Sequence, residues 1–237
     1  NRRCIHMIMD KFSLKGKTAI VTGARRGLGL SIAIGLAEAG ADIYGVGTGD
    51  MTPCKQAVEA LGRRFYSMKA DLISQEPIEA IVTDCLEKFG HIDILINNAG
   101  IIRREEALQF SEKDWDDVIN LNLKTLFFLS QRVAKEMVKQ GGGKIINIAS
   151  MLSYQGGIRV ASYTAAKSGV IGLTRLLANE WAKYNINVNG IAPGYMITDN
   201  TAALRADPVR YNEILGRIPA GRWGTGEDLA GAAVFLS

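Results

Sequence analysis

Short apolar runs alternate along the chain with stretches whose apolar residues recur at helical spacing. Thr18–Thr22 is a run of small and β-branched residues that predicts a buried strand, and a glycine-punctuated turn follows it. Leu28, Ile32 and Leu36 then fall on one helical face, and residues 41–46 predict a second strand. The clearest amphipathic pattern is Ile78, Ile81, Val82, Cys85, Leu86 and Phe89, spaced i, i+3, i+4, i+7, i+8 and i+11. Ser74 stands ahead of it as a candidate N-cap, with Pro77 in the first turn.

Residues 92–96 predict the next strand, and a polar turn at 97–100 follows. Ser111-Glu112-Lys113-Asp114 has the form of a capping box at the head of a long helix, which the glycines at 141–143 end. Residues 144–148 predict a strand, 161–183 a helix and Ile186–Ile191 a further strand. Thr225-Gly226-Glu227-Asp228 opens a last helix. Strands alternating with helices imply βαβ units with right-handed crossovers. The expected fold is therefore α/β: a doubly wound parallel sheet between two helical layers, a three-layer sandwich. In such sheets ligands bind beyond the carboxyl ends of the strands, so chemistry belongs on residues just after strands.

Composition narrows the picture. A chain of 237 residues, 47% hydrophobic and 22% charged, suits a single domain. That domain is expected over residues 12–237, with residues 1–11 a disordered N-terminal extension. The net charge of +4 is scattered along the chain rather than gathered in a stripe, which reads as a solvated surface and not as a nucleic-acid interface. No apolar run approaches the ~20 residues that span a bilayer, and the N-terminus lacks the apolar core of a signal peptide. Three cysteines without CxxC spacing argue against a disulfide framework and for a reducing compartment, hence the cytoplasm. Two histidines, His6 and His91, count against a histidine-rich zinc site and against Ser-His-Asp chemistry, and no metal is expected.

Two places carry candidate chemistry. Thr22-Gly23-Ala24-Arg25-Arg26-Gly27-Leu28-Gly29 lies between the first strand and the first helix. Glycines there let the backbone turn tightly and approach a diphosphate, and the helix N-terminus offers free N–H groups and a positive dipole end. The spacing is GxxxGxG, and no Gly-Lys-Ser/Thr follows, so this is not a P-loop. The second place is Tyr163 and Lys167, one helical turn apart on a shared face, with Ser150 at the end of a buried strand. Oxidising an alcohol with nicotinamide removes hydride from carbon and a proton from oxygen. A tyrosine, with an ordinary pKa of about 10, can take that proton near neutrality only if its phenolate is favoured, and a nearby ammonium favours it. A serine hydroxyl can orient the substrate oxygen. On the residues alone, Ser150 could equally be a routine strand-end hydroxyl.

The chain resembles the short-chain dehydrogenase/reductases from about Phe12 to its end. Thr22-Gly23-xxx-Gly27-x-Gly29, Asn97-Asn98-Ala99-Gly100, Ser150, Tyr163-xxx-Lys167 and Pro193-Gly194 stand in that family's order and spacing. The resemblance implies a Rossmann-type catalytic domain in which Tyr163 is the acid/base and Lys167 also binds the nicotinamide ribose. Ser150 would stabilise the reacting oxygen, and Asn122 would hold a relay water. Cofactor contacts are implied at Gly23, Arg26, Gly27, Leu28, Gly29, Asp71, Leu72, Asn98, Ala99, Gly100, Tyr163, Lys167, Pro193, Gly194, Ile197 and Thr198. It also implies a homotetramer, or at least a homodimer, in which the 161–183 helix packs against the Ser111 helix of another subunit. The near-continuous apolar character of that helix fits an interface or a buried position.

Within the family, residues 101–108, 112–117, 149–153, 155–159 and 218–223 are similar to dehydrogenases of hexuronate breakdown. That likeness implies a sugar acid as substrate, 2-deoxy-D-gluconate or 2-dehydro-3-deoxy-D-gluconate, oxidised at a secondary alcohol, with gluconate as the neighbouring possibility. Another carbonyl on the same scaffold, or a non-catalytic nucleotide-binding regulator, are the competing readings. Two features depart from the family pattern. The family continues past the last helix into a final strand, which this sequence does not contain, ending at Ser237. The second strand ends Gly45-Val46-Gly47-Thr48 without the acidic residue that usually holds the adenine ribose of NAD. The resemblance implies NAD, while Arg25 and Arg26 leave NADP open. Arg104, or failing that Arg103, directly follows the 97–100 turn and is a candidate for the substrate carboxylate, which substrate and Ser150 and Tyr163 would meet together. The competing reading pairs both arginines with Glu105 and Glu106 at the surface.

Overall fold

In the computed structural model, which describes residues 7–237, six strands form one sheet. They are β1 (Thr18–Thr22), β2 (Asp42–Gly47), β3 (Phe65–Lys69), β4 (Ile94–Asn97), β5 (Gly143–Ile148) and β6 (Ile186–Ile191). All pairings are parallel and the order is β3-β2-β1-β4-β5-β6. The helices between them are α1 (Gly27–Glu38), α2 (Thr52–Ala60), α3 (Ile78–Phe89), α4 (Glu112–Ile119), α5 (Leu126–Gln140) and α6 (Ala161–Trp181). Two short helices, α7 (Ala202–Ala206) and α8 (Pro208–Leu215), precede α9 (Glu227–Leu236). This is the doubly wound Rossmann-type sandwich that the alternating pattern predicts.

Both faces of the sheet are covered, which is why its central strands are apolar throughout. On one face Ile20, Leu95 and Ile145 pack with Ile81 and Val82 of α3, Val133 of α5 and Leu177 of α6. On the other, Val21, Ile96 and Ile146 pack with Ile32 and Leu36 of α1, Val58 of α2 and Ala233 of α9. The strand order reverses between β1 and β4, so the turns after these two strands diverge and open a crevice at the carboxyl edge.

Several elements differ from their sequence-based expectation. β3 and α2 carry no clear pattern because β3 is an edge strand that buries only Phe65 fully. α3 starts at Ile78, with Pro77 itself in the capping position, while the Ser74 hydroxyl accepts from the Glu76 N–H at 3.1 Å in the turn before it. Ser111 does cap its helix, accepting from the Asp114 N–H at 3.1 Å. That helix is not continuous to Gln140, because Asn120–Thr125 widens into a π turn between α4 and α5. Such turns are rare and disturb the regular ladder, and this one carries Asn122. Of the expected extension, residues 1–6 lie outside the described residues, and Ile8–Phe12 forms a short 3₁₀ turn. No helix among the described residues is long and apolar enough to cross a membrane.

Beneath the crevice runs a buried polar chain. The Asn97 amide donates to Ser130 Oγ at 2.8 Å and to Asn147 Oδ1 at 2.9 Å, and Asn147 Nδ2 donates to Thr174 Oγ1 at 2.9 Å. The two hydroxyls close the chain on carbonyls of their own helices, Ser130 on Leu126 and Thr174 on Val170, both at 2.7 Å. It thereby ties β4, β5, α5 and α6 together next to the turns that leave the sheet. In a low-dielectric interior such bonds are strong, and an orphaned partner is costly. Asn147→Ala is expected to destabilise the fold by about 2–3 kcal/mol, since it strands Asn97 and Thr174 at once. Thermal unfolding checks this, with roughly 2–4 °C lost per kcal/mol for a chain of this size.

Candidate active site

The glycine turn leaves β1 and enters α1 with its backbone amides uncovered. No side chain caps α1, and its first turn holds no acidic residue. Gly23 and Gly27 take positive φ values of 69° and 55°. A Cβ on Gly29 would lie 2.2 Å from the Gly23 carbonyl oxygen and 2.5 Å from Asn98 Nδ2, so the turn closes only without one. Leu28 is half-buried beside it. The turn after β4 is locked onto this one. Thr22 Oγ1 accepts from the Asn98 and Ala99 N–H groups, both at 3.0 Å, and Asn98 Nδ2 donates to the Thr22 carbonyl at 2.9 Å. Thr22 heads the glycine motif in the sequence, but its bridging of the two turns is legible only in the fold.

Residues 198–201 overhang the glycine turn. A Cβ at Gly27 would stand 3.8 Å from Thr198 Cγ2, and Arg26 forms an ion pair with Asp199. Pro193 accepts from the Met151 N–H at 2.9 Å, Gly194 adjoins Met151, and Ile197 is exposed next to Thr198. A bare helix N-terminus, a turn that tolerates no Cβ and an overhanging threonine together fit a dinucleotide diphosphate. At the far end, Arg25 lies across Gly49, where a Cβ would meet Arg25 Cδ at 2.5 Å, just past the end of β2. Asp50, exposed just beyond it and within electrostatic reach of Arg25, accepts from the Thr52 N–H at 2.9 Å and from its hydroxyl at 2.7 Å. Asp71 is exposed after β3 and accepts from the Ile73 N–H at 3.0 Å, while Leu72 is buried in the core.

Across the crevice, α6 presents Tyr163 and Lys167. Lys167 is buried, donates to the Ile148 carbonyl at 2.5 Å and stands 5.7 Å from the centre of the Tyr163 ring. Burial alone lowers its pKa to about 8. Ser150 ends β5. Its hydroxyl oxygen accepts from the Leu152 N–H at 3.2 Å, which leaves its hydrogen for Tyr163. Ser153 adds a brace, donating to the Lys167 carbonyl at 2.7 Å. Desolvation at the hydroxyl raises Tyr163 above its ordinary value, and the two groups that oppose it are the Ser150 hydroxyl and the Arg104 guanidinium.

Arg104 and Arg103 part company. Arg103 turns to α4, 3.2 Å from Asp114 Oδ1 and 3.6 Å from Asp117 Oδ2. Arg104 lies within electrostatic reach of Tyr163, its guanidinium desolvated enough to lower its pKa, and donates to the Asn200 carbonyl at 2.8 Å. Neither pairs with Glu105 or Glu106, which instead face Arg159. Asn122 is buried in the π turn. Its amide is engaged in both directions by one residue, receiving from the Ile101 N–H and donating to the Ile101 carbonyl, each at 2.9 Å. Its side chain is thus a brace for the chain after Gly100, whose own Cβ position lies 3.3 Å from Asn122 Oδ1. Among the described residues no group of metal-ligating side chains comes together.

A diphosphate cradle facing a Tyr-Lys-Ser cluster across the switch point of a doubly wound sheet defines a nicotinamide oxidoreductase. The chain belongs to the short chain dehydrogenase family, whose profile matches residues 17–209, and it is an NAD(P)-dependent oxidoreductase. It is 63% identical to the 2-dehydro-3-deoxy-D-gluconate 5-dehydrogenase of Escherichia coli, over 98% of this chain and 92% of that protein. It is 53% identical to the enzyme of the same name from Bacillus subtilis, over 96% and 90%. The structure of a gluconate 5-dehydrogenase from Burkholderia cenocepacia, in complex with NADP and tartrate, superposes with a TM-score of 0.93 at 38% identity, covering 98% of this chain and 91% of that one.

The cradle generates one expectation. Gly29→Ala forces its methyl against the Gly23 carbonyl, which is backbone and cannot rotate away. Cofactor affinity should fall at least about tenfold, measured by fluorescence titration with reduced nicotinamide cofactor, because the turn that fits a diphosphate must open.

Proposed function

We propose that this enzyme interconverts a secondary alcohol and a ketone of a sugar acid, 2-dehydro-3-deoxy-D-gluconate, with Tyr163 as the acid/base. The reading rests on the Tyr163 and Ser150 pair lying within electrostatic reach of the partly buried Arg104 guanidinium. A fixed cation next to the proton-transfer group suits a substrate that brings its own carboxylate. The names of the relatives at 63% and 53% identity support the particular acid, and gluconate is its chemical neighbour. A regulator that only binds nucleotide would have no use for a lysine buried against a tyrosine.

The nicotinamide ring, when bound, accepts or returns the hydride. The chain's own residues then handle the oxygen. Ser150 donates to the substrate oxygen and holds it against the phenol. In oxidation Tyr163, as phenolate, takes the hydroxyl proton; in reduction it returns one. Arg104 favours the phenolate by charge and forks onto the carboxylate. Lys167 would hold the nicotinamide ribose, with Gly23, Arg26, Gly27, Leu28 and Gly29 around the diphosphate and Pro193, Gly194, Ile197 and Thr198 above it. Asp71 and Leu72 would border the adenine, and Asn98, Ala99 and Gly100 the groove between. We assign NAD as the cofactor; a 2′-phosphate would fall to Arg25, which lies past β2 in reach of the exposed Asp50 carboxylate. The buried free thiols Cys54 and Cys85 suit the cytoplasm.

The test is turnover of a panel of sugar acids and neutral sugars under NAD and then NADP. Tyr163→Phe should lose about 10²–10⁴-fold in kcat with cofactor affinity nearly intact. Arg104→Ala should lose roughly 1.5–3 kcal/mol in kcat/KM for the acid and much less for a neutral analogue. Activity of the phenylalanine variant within tenfold of wild type would overturn the role of Tyr163.

We further infer a homotetramer, or at least a homodimer, through the outer faces of α4, α5 and α6. Trp115 and Phe128 are each 40% exposed there and Leu176 is 51% exposed, large apolar side chains that water does not favour. Light scattering at micromolar concentration should return a multiple of the chain mass, and a monomer would count against the interface.

A further inference from the structure

Two loops that carry the site meet at Arg159. It is one of two non-glycine residues with positive φ among the described residues, at 63°. The other, Asn185, closes a helix, a place where asparagine is at home. Arginine gains nothing locally from that conformation, which persists only where the surroundings hold it. The Arg159 carbonyl accepts from the Glu105 N–H at 3.1 Å. Its Nε lies 3.3 Å from Glu106 Oε1 and its Nη2 lies 4.0 Å from Glu105 Oε1. The Glu105 carboxylate also accepts from the Glu106 N–H at 2.8 Å, which keeps both acids turned the same way. Backbone and side chain of one residue therefore grip the two residues that directly follow Arg104. On its other side Arg159 precedes buried Val160 and the first turn of α6, which bears Tyr163.

We propose that Arg159 is a positioning residue: its left-handed turn and its clasp on Glu105 and Glu106 set the separation between the Arg104 guanidinium and the Tyr163 hydroxyl. This rests on the roles given above to Tyr163 and Arg104. The clasp is not a source of stability, because the Arg159 side chain is 53% exposed and exposed ion pairs contribute little. Its effect belongs in catalysis. The groups facing Tyr163 are Ser150 from the end of β5, Lys167 on α6 and Arg104 from the loop after β4, with Asn122 engaged by Ile101 and uncharged. Of these, Arg104 is a cation that favours the phenolate, so a displaced Arg104 leaves the phenol harder to ionise. The pH at which alcohol oxidation reaches its plateau then moves up.

Glycine adopts the same backbone without strain, so Arg159→Gly removes the clasp and spares the turn. This variant should keep its thermal midpoint and its cofactor affinity, raise KM for the sugar acid about fivefold to twentyfold, and move the pH limb of kcat/KM upward. Arg159→Lys, which retains a cation near both glutamates, should recover most of the KM. In an Arg104→Ala background, Arg159→Gly should cost nothing more. Wild-type KM and pH limb in Arg159→Gly, or additive losses in the double variant, would overturn the clasp. Arg104→Ala alone separates the two ideas: no effect on the acid overturns the carboxylate role, whereas a large effect beside a silent Arg159→Gly overturns only the positioning role.

Discussion

The site depends on how β1 and β4 are joined at their ends. In a doubly wound sheet these strands send their connections in opposite directions, and the crevice between them would be as variable as the two loops that border it. Thr22 removes that freedom. Its hydroxyl is a double acceptor for Asn98 and Ala99 and donates to the Ile96 carbonyl at 3.2 Å, so the glycine turn and the 97–100 turn move as one body. The absence of side chains at Gly23 and Gly29 lets the Asn98 amide fit between them. Below, the Asn97–Asn147 chain fixes the same two strands to α5 and α6. The glycine turn and the helix that bears Tyr163 and Lys167 are thus referred to one rigid edge.

Charge at the site is arranged against burial. Desolvation pushes the Tyr163 phenol up and the Lys167 ammonium down to about 8, each toward its neutral form. For an acid/base group the opposite pull must come from somewhere, and here it comes from a hydroxyl and a guanidinium. Arginine suits that task because its charge survives the partial burial that erodes lysine's. The same guanidinium is anchored on the Asn200 carbonyl, one residue from the Asp199 that pairs with Arg26. Two arginines, Arg26 from the glycine turn and Arg104 from the loop after β4, therefore hold neighbouring residues of one segment.

The likeness to sugar-acid dehydrogenases has a physical counterpart in these loops. Family membership requires the glycine turn and the Tyr-Lys-Ser cluster, which serve any nicotinamide-dependent alcohol chemistry. The stretch after Gly100 and the stretch before α6, with Arg104 on one and Arg159 gripping Glu105 and Glu106 on the other, build a charged rim beside the site. Specificity in such enzymes resides in loops because the scaffold below is already committed to cofactor and proton.

The order of strands and helices, the parallel sheet, the glycine turn and the Tyr163, Lys167 and Ser150 cluster could all be read from the chain, since periodicity and short-range spacing report local geometry directly. β3 could not, because an edge strand half open to water carries no alternation strong enough to mark it. The π turn at Asn120–Thr125 was hidden for a related reason: one extra residue in a helical ladder leaves the apolar pattern nearly unchanged. Arg103 and Arg104 stood as equals in sequence, adjacent and alike in charge. Only folding separated them, by bringing Asp114 and Asp117 of α4 to one and the Tyr163 hydroxyl to the other. The sequence by itself determined which chemistry the chain carries; the tertiary structure decided which cation serves it, because the field at a buried phenol is set by groups far apart in the chain and close only in space.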